Sequence, residues 1–254
     1  MPRRITPALA LALLATAAIG CGAAGSSEKP SLVVSAATSL KRALTAYAQG
    51  FTPATVHLSF AGSDMLAAQI EQGVKPDVFA SANTTLPEML YVKGLARHPV
   101  VFAANRLIIA VPAGSTKVRS LADLAKPGVT IAIGAPTVPV GSYTRKLLAR
   151  LPASQRGAIL ANVRSSEPDV GGVVGKLTEG AVDAGFVYIT DAAASARRVT
   201  AIELPASLQP TVAYAAAVVS GSAHVPQAQA FIGGLLTGVG RQQLRQAGFQ
   251  PPPR

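Results

Sequence analysis

Residues 56–73 read VHLSFAGSDMLAAQIEQG, and this run combines a strand, a tight turn and a helix. Apolar residues alternate from Val56 to Phe60, which predicts a strand. Helical periodicity follows, and Gly73 is typical of a helix end. The turn carries Ser63 where the helix begins, a position that favours anion binding. A strand that leads directly into a helix indicates an α/β fold.

The alternation of strand and helix continues on both sides of this run. Short apolar or β-branched runs predict further strands at 32–37, 77–80, 106–111, 129–133, 184–188 and 212–219. Apolar residues at helical spacing predict helices at 40–51, 65–72, 86–92, 143–151, 172–178, 227–236 and 241–246. Ser39 is predicted to cap the first of these helices. The pattern is typical of an α/β fold with mostly parallel sheets flanked by helices.

Basic residues outnumber acidic ones along the chain. The 254 residues carry a formal net charge of +11, with 23 Lys and Arg against 12 Asp and Glu. The basic residues are scattered and form no dense run, which argues against a nucleic-acid-binding protein. A solvated basic surface or an anionic ligand accounts for this balance.

The first 30 residues are predicted to lie outside the fold. A positive start and an apolar stretch shorter than the roughly 20 residues of a spanning helix predict a signal peptide at 1–20. Small residues precede Cys21, the single cysteine, as in the lipobox of bacterial lipoproteins. We therefore expect lipidation at Cys21, a lipid-anchored tether at 21–30, and a location at the outer face of the cytoplasmic membrane. A freely periplasmic protein is the alternative.

Residues that support catalysis or metal binding are sparse. The three histidines are widely separated, and the sequence contains no nucleophile or metal-ligand motif. A turn of small residues at a helix start recurs instead, and the free amides and dipole of such starts favour anions. Four of these turns in one α/β chain indicate a shared ligand crevice, and they lie at 37–39, 61–63, 139–141 and 169–171.

Six segments carry a more specific signal, and in chain order they are SAATSL, FAGSDMLAAQIEQG, PDVFASA, IAIGAPTVPVG, DAGFVYITDA and AGFQP. Together they resemble the periplasmic molybdate-binding proteins of molybdate ABC importers, which are type II periplasmic solute-binding proteins. The resemblance implies two α/β lobes that close on a ligand and are joined by two crossover strands acting as a hinge. It implies lobe one at 31–111 plus 213–254 and lobe two at 112–212.

The same resemblance implies the ligand and the residues that bind it. The ligand would be molybdate or the similarly sized tungstate, so molybdenum would be bound only as an oxyanion, without a cofactor and without catalytic residues. The implied partner is the ABC permease of the importer, and the protein itself is expected to be a monomer. The matching positions are the side chains of Ser39, Ser63 and Tyr188 and the backbone amides of Val140 and Val170.

These residue types suit a fully ionised tetrahedral dianion, whose oxygens accept hydrogen bonds and donate none. Sulfate has the same charge and shape, so a receptor for sulfate or another tetrahedral oxyanion is an alternative. An exported hydrolase of anionic esters is a further alternative, although no base lies near either serine in the sequence. Asp64 directly follows Ser63, and we expect its carboxylate to be solvated and to point away from the ion.

Overall fold

Two five-stranded sheets form the framework of the protein. The structure is a computed structural model that describes Met1 and residues 29–253. In the first sheet the strand order is β2-β1-β3-β10-β4, with β1 at Ser31–Ala37, β2 at Thr55–Ala61, β3 at Val78–Ser81, β4 at Val100–Asn105 and β10 at Val212–Val218. In the second sheet it is β7-β6-β8-β5-β9, with β5 at Leu107–Pro112, β6 at Ile131–Gly134, β7 at Val163–Glu167, β8 at Ala184–Tyr188 and β9 at Val199–Ile202.

Helices connect these strands and cover the sheets. Within the described residues they are α1 at Lys41–Gln49, α2 at Ser63–Glu71, α3 at Thr85–Val92, α4 at Pro139–Leu148, α5 at Ala153–Ala161, α6 at Val170–Thr178, α7 at Ile189–Ala194, α8 at Val225–Leu236 and α9 at Val239–Gln246. Short 3₁₀ turns lie at Thr38–Leu40, Ala122–Ala125 and Ala206–Leu208. No helix between residues 29 and 253 combines the length and the apolar character needed to cross a membrane.

Each sheet combines a parallel half with an antiparallel half. Strand β1 pairs in parallel with β2 and β3, and β6 pairs in parallel with β7 and β8. Strand β10 runs antiparallel to β3 and β4, and β5 runs antiparallel to β8 and β9. The predicted α/β class is confirmed, with the refinement that half of these eight pairings are antiparallel. The antiparallel strands are those next to the points where the chain passes from one sheet to the other.

The chain first crosses between the sheets at Arg106. Asn105 pairs with Val212 in the first sheet, whereas Leu107 pairs with Tyr188 in the second. Our expected boundary after residue 111 is therefore too late, because β5 already belongs to the second sheet. The apolar run of β5 is buried between β8 and β9, which explains its strong strand signal.

The chain returns to the first sheet between β9 and β10. We call the first sheet and its helices lobe one, which comprises residues 29–105 and 212–253. The second sheet and its helices, residues 107–202, are lobe two. All seven residues of β10 are buried, because this central strand contacts α3 and α8 and lies between two neighbouring strands.

Some local features differ from the expectations drawn from the sequence. Ser39 does not cap α1, because it lies in a 3₁₀ turn and α1 begins only at Lys41. Helices α5 and α7 and strands β4, β7 and β9 were not predicted, and β7 is a polar edge strand whose residues alternate in exposure. The predicted signal peptide, Cys21 and most of the predicted tether fall outside the described residues.

Candidate functional site

A small cavity lies where the two lobes meet. Its volume is about 20 Å³ when measured as the space open to the centre of a water-sized sphere, which is enough for one small species. It is formed at strand ends and helix starts of both lobes, and its lining residues are Ala37, Thr38, Ser39, Ala61, Gly62, Ser63, Ala82, Val138, Pro139, Val140, Asp169, Val170 and Tyr188.

The structure brings all five residues singled out from the sequence to this cavity. From lobe one, Ser39 lies in the turn after β1 and Ser63 is the first residue of α2. From lobe two, Val140 lies in the first turn of α4, Val170 begins α6, and Tyr188 ends β8. Sequence positions up to 149 residues apart thus converge on one point between the lobes.

The Ser63 hydroxyl is oriented by a neighbouring strand. Its Oγ accepts a hydrogen bond of 3.1 Å from the backbone N–H of Ala82, and the side chain is buried. Because the oxygen already accepts a protein donor, the single hydroxyl hydrogen is free to donate toward the cavity.

The Ser39 hydroxyl lies at the end of a hydrogen-bonded chain that runs from Asn105 through Tyr214. The Asn105 Oδ1 accepts from the N–H of Arg106 at 2.9 Å, so the Asn105 amide group donates through Nδ2. Nδ2 lies 3.3 Å from the Tyr214 hydroxyl and 2.9 Å from Thr190 Oγ1. The Tyr214 hydroxyl accepts from Asn105 and lies 3.0 Å from Ser39 Oγ, a pair in which either hydroxyl can be the donor. When Tyr214 donates to Ser39, the hydrogen of Ser39 is free for the cavity.

The Tyr188 side chain presents a neutral phenol. Its ring makes edge-to-face contacts with Tyr214 at 5.9 Å and with Tyr143 at 6.5 Å between ring centroids. The hydroxyl is buried and has no hydrogen-bond partner within residues 29–253. Burial raises the pKa of Tyr188 well above its ordinary value, and the neighbouring Tyr214, Tyr143 and Asp191 raise it further. Tyr188 therefore keeps its proton and can donate it in a hydrogen bond.

Two backbone amides complete the set of donors. Val140 and Val170 lie in the first turns of their helices, where an N–H has no carbonyl four residues earlier within the helix. Neither amide has a protein acceptor within residues 29–253. The amide of Gly172, two residues further along α6, donates instead to Oδ1 of Asp169 at 3.1 Å. The helix dipoles add a partial positive charge at both positions.

Asp64 is placed differently from our expectation. Its Oδ2 accepts a 2.6 Å hydrogen bond from the Thr137 hydroxyl of lobe two, and its Oδ1 is buried without a partner in the described part of the chain. The carboxylate is thus part of the contact between the lobes. Nothing in the sequence pairs residues 64 and 137, so this contact could not have been found there.

Asp191 lies directly behind Tyr188, and one of its carboxylate oxygens accepts from the Tyr188 N–H at 3.2 Å. Burial raises the pKa of Asp191 to about 7; the hydrogen bond from Tyr188 opposes this shift, and the nearby Asp169 adds to it. Within residues 29–253 no cluster of three or more His, Cys, Asp or Glu side chains is arranged to hold a metal ion.

The sequence analysis missed two further cavity residues, Thr38 and Asp169. Both lie inside the turns that were singled out as anion sites, at 37–39 and 169–171. Their position in those turns was therefore visible in the sequence. Their side-chain contacts with the cavity depend on how the two lobes meet, and the sequence does not show how the lobes meet.

Comparisons with known proteins identify the family of this chain. The family model for bacterial extracellular solute-binding proteins matches residues 32–250. The molybdate-binding protein ModA of Mycobacterium tuberculosis is 35% identical over an alignment that covers 98% of each chain. The structure of the periplasmic molybdate-binding protein of Azotobacter vinelandii is similar, with a TM-score of 0.78 and 25% identity over 87% of this chain and 100% of that one.

A further solved structure has a similar fold. The sulfate-binding protein SubI of Mycobacterium tuberculosis has a TM-score of 0.77 at 18% identity, over 87% of each chain, and this likeness shows the fold alone. The resemblance drawn from the six sequence segments and the two-lobed fold are both confirmed. The chain belongs to the bacterial extracellular solute-binding protein family.

Proposed function

We propose that this protein binds molybdate and tungstate between its two lobes and delivers them to the permease of an ABC importer. The observation that carries this proposal is the direction of the hydrogen bonds at the cavity. The Ser63 oxygen already accepts from a backbone N–H, the Ser39 hydroxyl is paired with Tyr214 in a bond that lets Tyr214 be the donor, and the Tyr188 hydroxyl is buried without a partner in the described chain. Five groups are thus left to donate, including the amides of Val140 and Val170.

A cavity of donors selects an ion that only accepts. Molybdate is a fully ionised tetrahedral dianion at neutral pH, so each of its oxygens accepts hydrogen bonds. A hydrogen bond to a charged partner contributes about 1.5–3 kcal/mol net of the water bonds that it replaces, so five of them together support tight binding of the ion. Phosphate carries a proton at neutral pH and requires an acceptor in the site. One carboxylate, that of Asp169, is among the lining residues; its Oδ1 caps α6, so its Oδ2 is the acceptor that the calorimetry with phosphate described below tests.

Binding and lobe closure are coupled in this arrangement. The two serines belong to lobe one, and Tyr188, Val140 and Val170 belong to lobe two. An ion that contacts all five stabilises the arrangement in which the lobes meet, which is the general mode of hinged closure. The closed protein is then the form that the permease distinguishes from the open one.

The relatives support the identity of the ligand. Proteins 35% identical over nearly the whole chain are named as molybdate-binding proteins. Their role is binding, and we propose that this protein likewise catalyses no reaction and acts as a monomer. We also propose that it is exported and anchored by a lipid at Cys21. A Cys21→Ser variant that still fractionates with membranes after export would contradict the anchor.

The decisive experiment is calorimetry of the mature protein with molybdate, tungstate, sulfate and phosphate. We expect tight binding of molybdate and tungstate and much weaker binding of the other two ions. Ser39→Ala and Ser63→Ala should each reduce molybdate affinity by roughly 10- to 150-fold, since each removes one hydrogen bond to a charged partner, worth about 1.5–3 kcal/mol. Sulfate binding as tight as molybdate binding would instead establish the sulfate receptor considered above.

The hydrolase alternative finds no support in the contacts of the serines. Within residues 29–253, the Ser39 and Ser63 hydroxyls bond to a tyrosine and to a backbone amide, and neither contacts a histidine or a carboxylate. A nucleophilic serine requires an adjacent base. We therefore propose binding alone.

A further inference from the structure

Thr38 lies beside Ser39 at the end of β1 and lines the same cavity. Its Oγ1 is inaccessible to solvent and has no hydrogen-bond partner among residues 29–253. A buried hydroxyl without a partner destabilises the folded protein, because it has lost its bonds to water. The other hydroxyl at the cavity in the same condition is that of Tyr188.

The orientation of Thr38 is set by a contact with the opposite lobe. Gly171 of α6 lies so close that a Cβ atom built on it would be 2.9 Å from the Thr38 methyl carbon and 2.9 Å from Oδ1 of Asp169 in its own lobe. The methyl group therefore packs against the backbone of lobe two where residue 171 has no side chain. Because a β-branched side chain has few allowed rotamers, placing the methyl group also fixes the direction of the hydroxyl.

We infer that the Thr38 hydroxyl is a sixth donor to the bound oxyanion. Gly171 has no side chain and so leaves room for the Thr38 methyl group, whose packing there orients the hydroxyl. This inference rests on the proposed function and adds to it a determinant of affinity beyond the five residues already assigned. The hydroxyl can donate its hydrogen without losing a protein bond, because the described residues offer it no acceptor. Thr38 then contributes to binding in the same way as Ser39, but through a contact that forms only when the lobes meet.

The test uses two substitutions at position 38 that separate shape from hydrogen bonding. Thr38→Val keeps the methyl packing and removes the hydroxyl, so we expect molybdate affinity to fall by about tenfold or more. Its Tm should be unchanged or higher, since an unpaired buried hydroxyl is removed. Thr38→Ser keeps the hydroxyl, and its affinity should stay within about threefold of the wild type. Thr45→Val, an exposed position on α1, is the matched control and should bind as the wild type does.

A second arm tests the role of Gly171. Gly171→Ala should weaken molybdate binding in the wild-type background and weaken it less in a Thr38→Ala background, where its contact with Asp169 remains but the methyl group that it crowds is gone. Calorimetry with molybdate measures all of these variants. Unchanged affinity in Thr38→Val, or equal losses in Thr38→Val and Thr38→Ser, would overturn the inference and leave the proposed function intact. A wild-type protein that binds neither molybdate nor tungstate would overturn the proposed function itself.

Discussion

The Asp64 carboxylate of lobe one accepts a 2.6 Å hydrogen bond from the Thr137 hydroxyl of lobe two. This bond crosses between the lobes at a position next to Ser63, so it adds a protein–protein contact beside the proposed ion-binding groups. A carboxylate near a dianion opposes binding through its charge. The bond to Thr137 offsets that opposition, because it favours the arrangement of the lobes in which the ion is held.

Thr137→Val should weaken binding although Thr137 is outside the set of proposed ion donors. A charged hydrogen bond contributes about 1.5–3 kcal/mol, and we reduce this to about 1 kcal/mol for the solvent-exposed setting, which corresponds to roughly fivefold in molybdate affinity. Calorimetry at low and high salt measures the effect. In an Asp64→Asn background the same substitution should cost less, since the bond is then no longer charged. Equal costs in both backgrounds would contradict a role for the charged bond.

Gly62→Ala should block the approach of the two lobes. A Cβ atom on Gly62 would overlap the carbonyl oxygen of Pro168 in lobe two and lie 2.9 Å from Oδ1 of Asp64. The backbone angles of Gly62, φ −58° and ψ 136°, suit alanine, so lobe one should still fold. We expect at least a tenfold loss of molybdate affinity, measured by calorimetry, with a change in unfolding free energy of about 1 kcal/mol or less.

The control for this substitution is Gly157→Ala in α5. A Cβ atom there meets no heavy atom within 4 Å, so binding should not change. The helix should gain roughly 0.4–1 kcal/mol from the lower entropy of the unfolded chain. Wild-type binding by the Gly62 variant would show that the lobes do not need this close approach.

Tyr188→Phe should change stability and affinity in opposite directions. The substitution removes a buried hydroxyl without a partner among the described residues, so the Tm should stay the same or rise. Molybdate affinity should fall by roughly tenfold or more, because one donor is lost. Thermal unfolding and calorimetry on the same preparations measure both quantities.

Tyr47→Phe provides the opposite pattern as a control. The Tyr47 hydroxyl donates to the carbonyl oxygen of Phe231 at 3.1 Å, away from the cavity. Its removal should lower the free energy of unfolding by about 1 kcal/mol and leave binding unchanged. A Tyr188 variant that loses stability and keeps its affinity would remove Tyr188 from the site.

Asp191→Asn should make the stability less dependent on pH. The folded-state pKa of Asp191, about 7, lies above the ordinary value of 3.8, so the folded protein holds this proton more tightly than the unfolded chain does. The stabilisation from protonation is therefore full below about pH 4 and is lost as the pH rises through 7. Asparagine stays neutral and can still accept from the Tyr188 N–H. The Tm of the variant should rise relative to the wild type between pH 5 and pH 8.

Asp123→Asn is a control for which we expect the opposite effect on the pH dependence of stability. The pKa of Asp123 is lowered by the hydrogen bond with Lys126 and by bonds from Arg119 and Ser120, so its charged form favours folding. That variant should lose stability at pH 7 and lose less of it at low pH. Parallel pH dependences of Tm in the wild type and Asp191→Asn would show that Asp191 titrates normally.

The parts of the fold that local pattern determines were predictable. Residues 56–73 form β2 and α2 as expected, with Ser63 as the first residue of the helix. The turns at 37–39 and 169–171 do face the cavity, because strand ends and helix starts converge there in an α/β fold. Tyr188 was placed by resemblance rather than by pattern, since a tyrosine at the end of an apolar strand has no signature of its own.

The parts that depend on distant contacts were not predictable. The partner of Ser39, Tyr214, is 175 residues away, and the sequence around either residue gives no indication of the other. The polar edge strand β7 lacks the apolar signal of a buried strand. The contact between Asp64 and Thr137 depends on the relative position of two lobes, which hydrophobic periodicity does not describe.

The hydrogen bonds of Asn105 link the position of the hinge to the orientation of the binding-site hydroxyl of Ser39. Asn105 is the last residue of β4, immediately before the crossing at Arg106, and it donates both to Tyr214 in lobe one and to Thr190 in lobe two. A rotation that carries Thr190 away from lobe one removes one of the three hydrogen bonds that hold the amide in place. The orientation of Tyr214, and through it the free hydrogen of Ser39, then loses its support. Opening the lobes therefore does more than expose the ion, because the same movement also loosens the donor that held it.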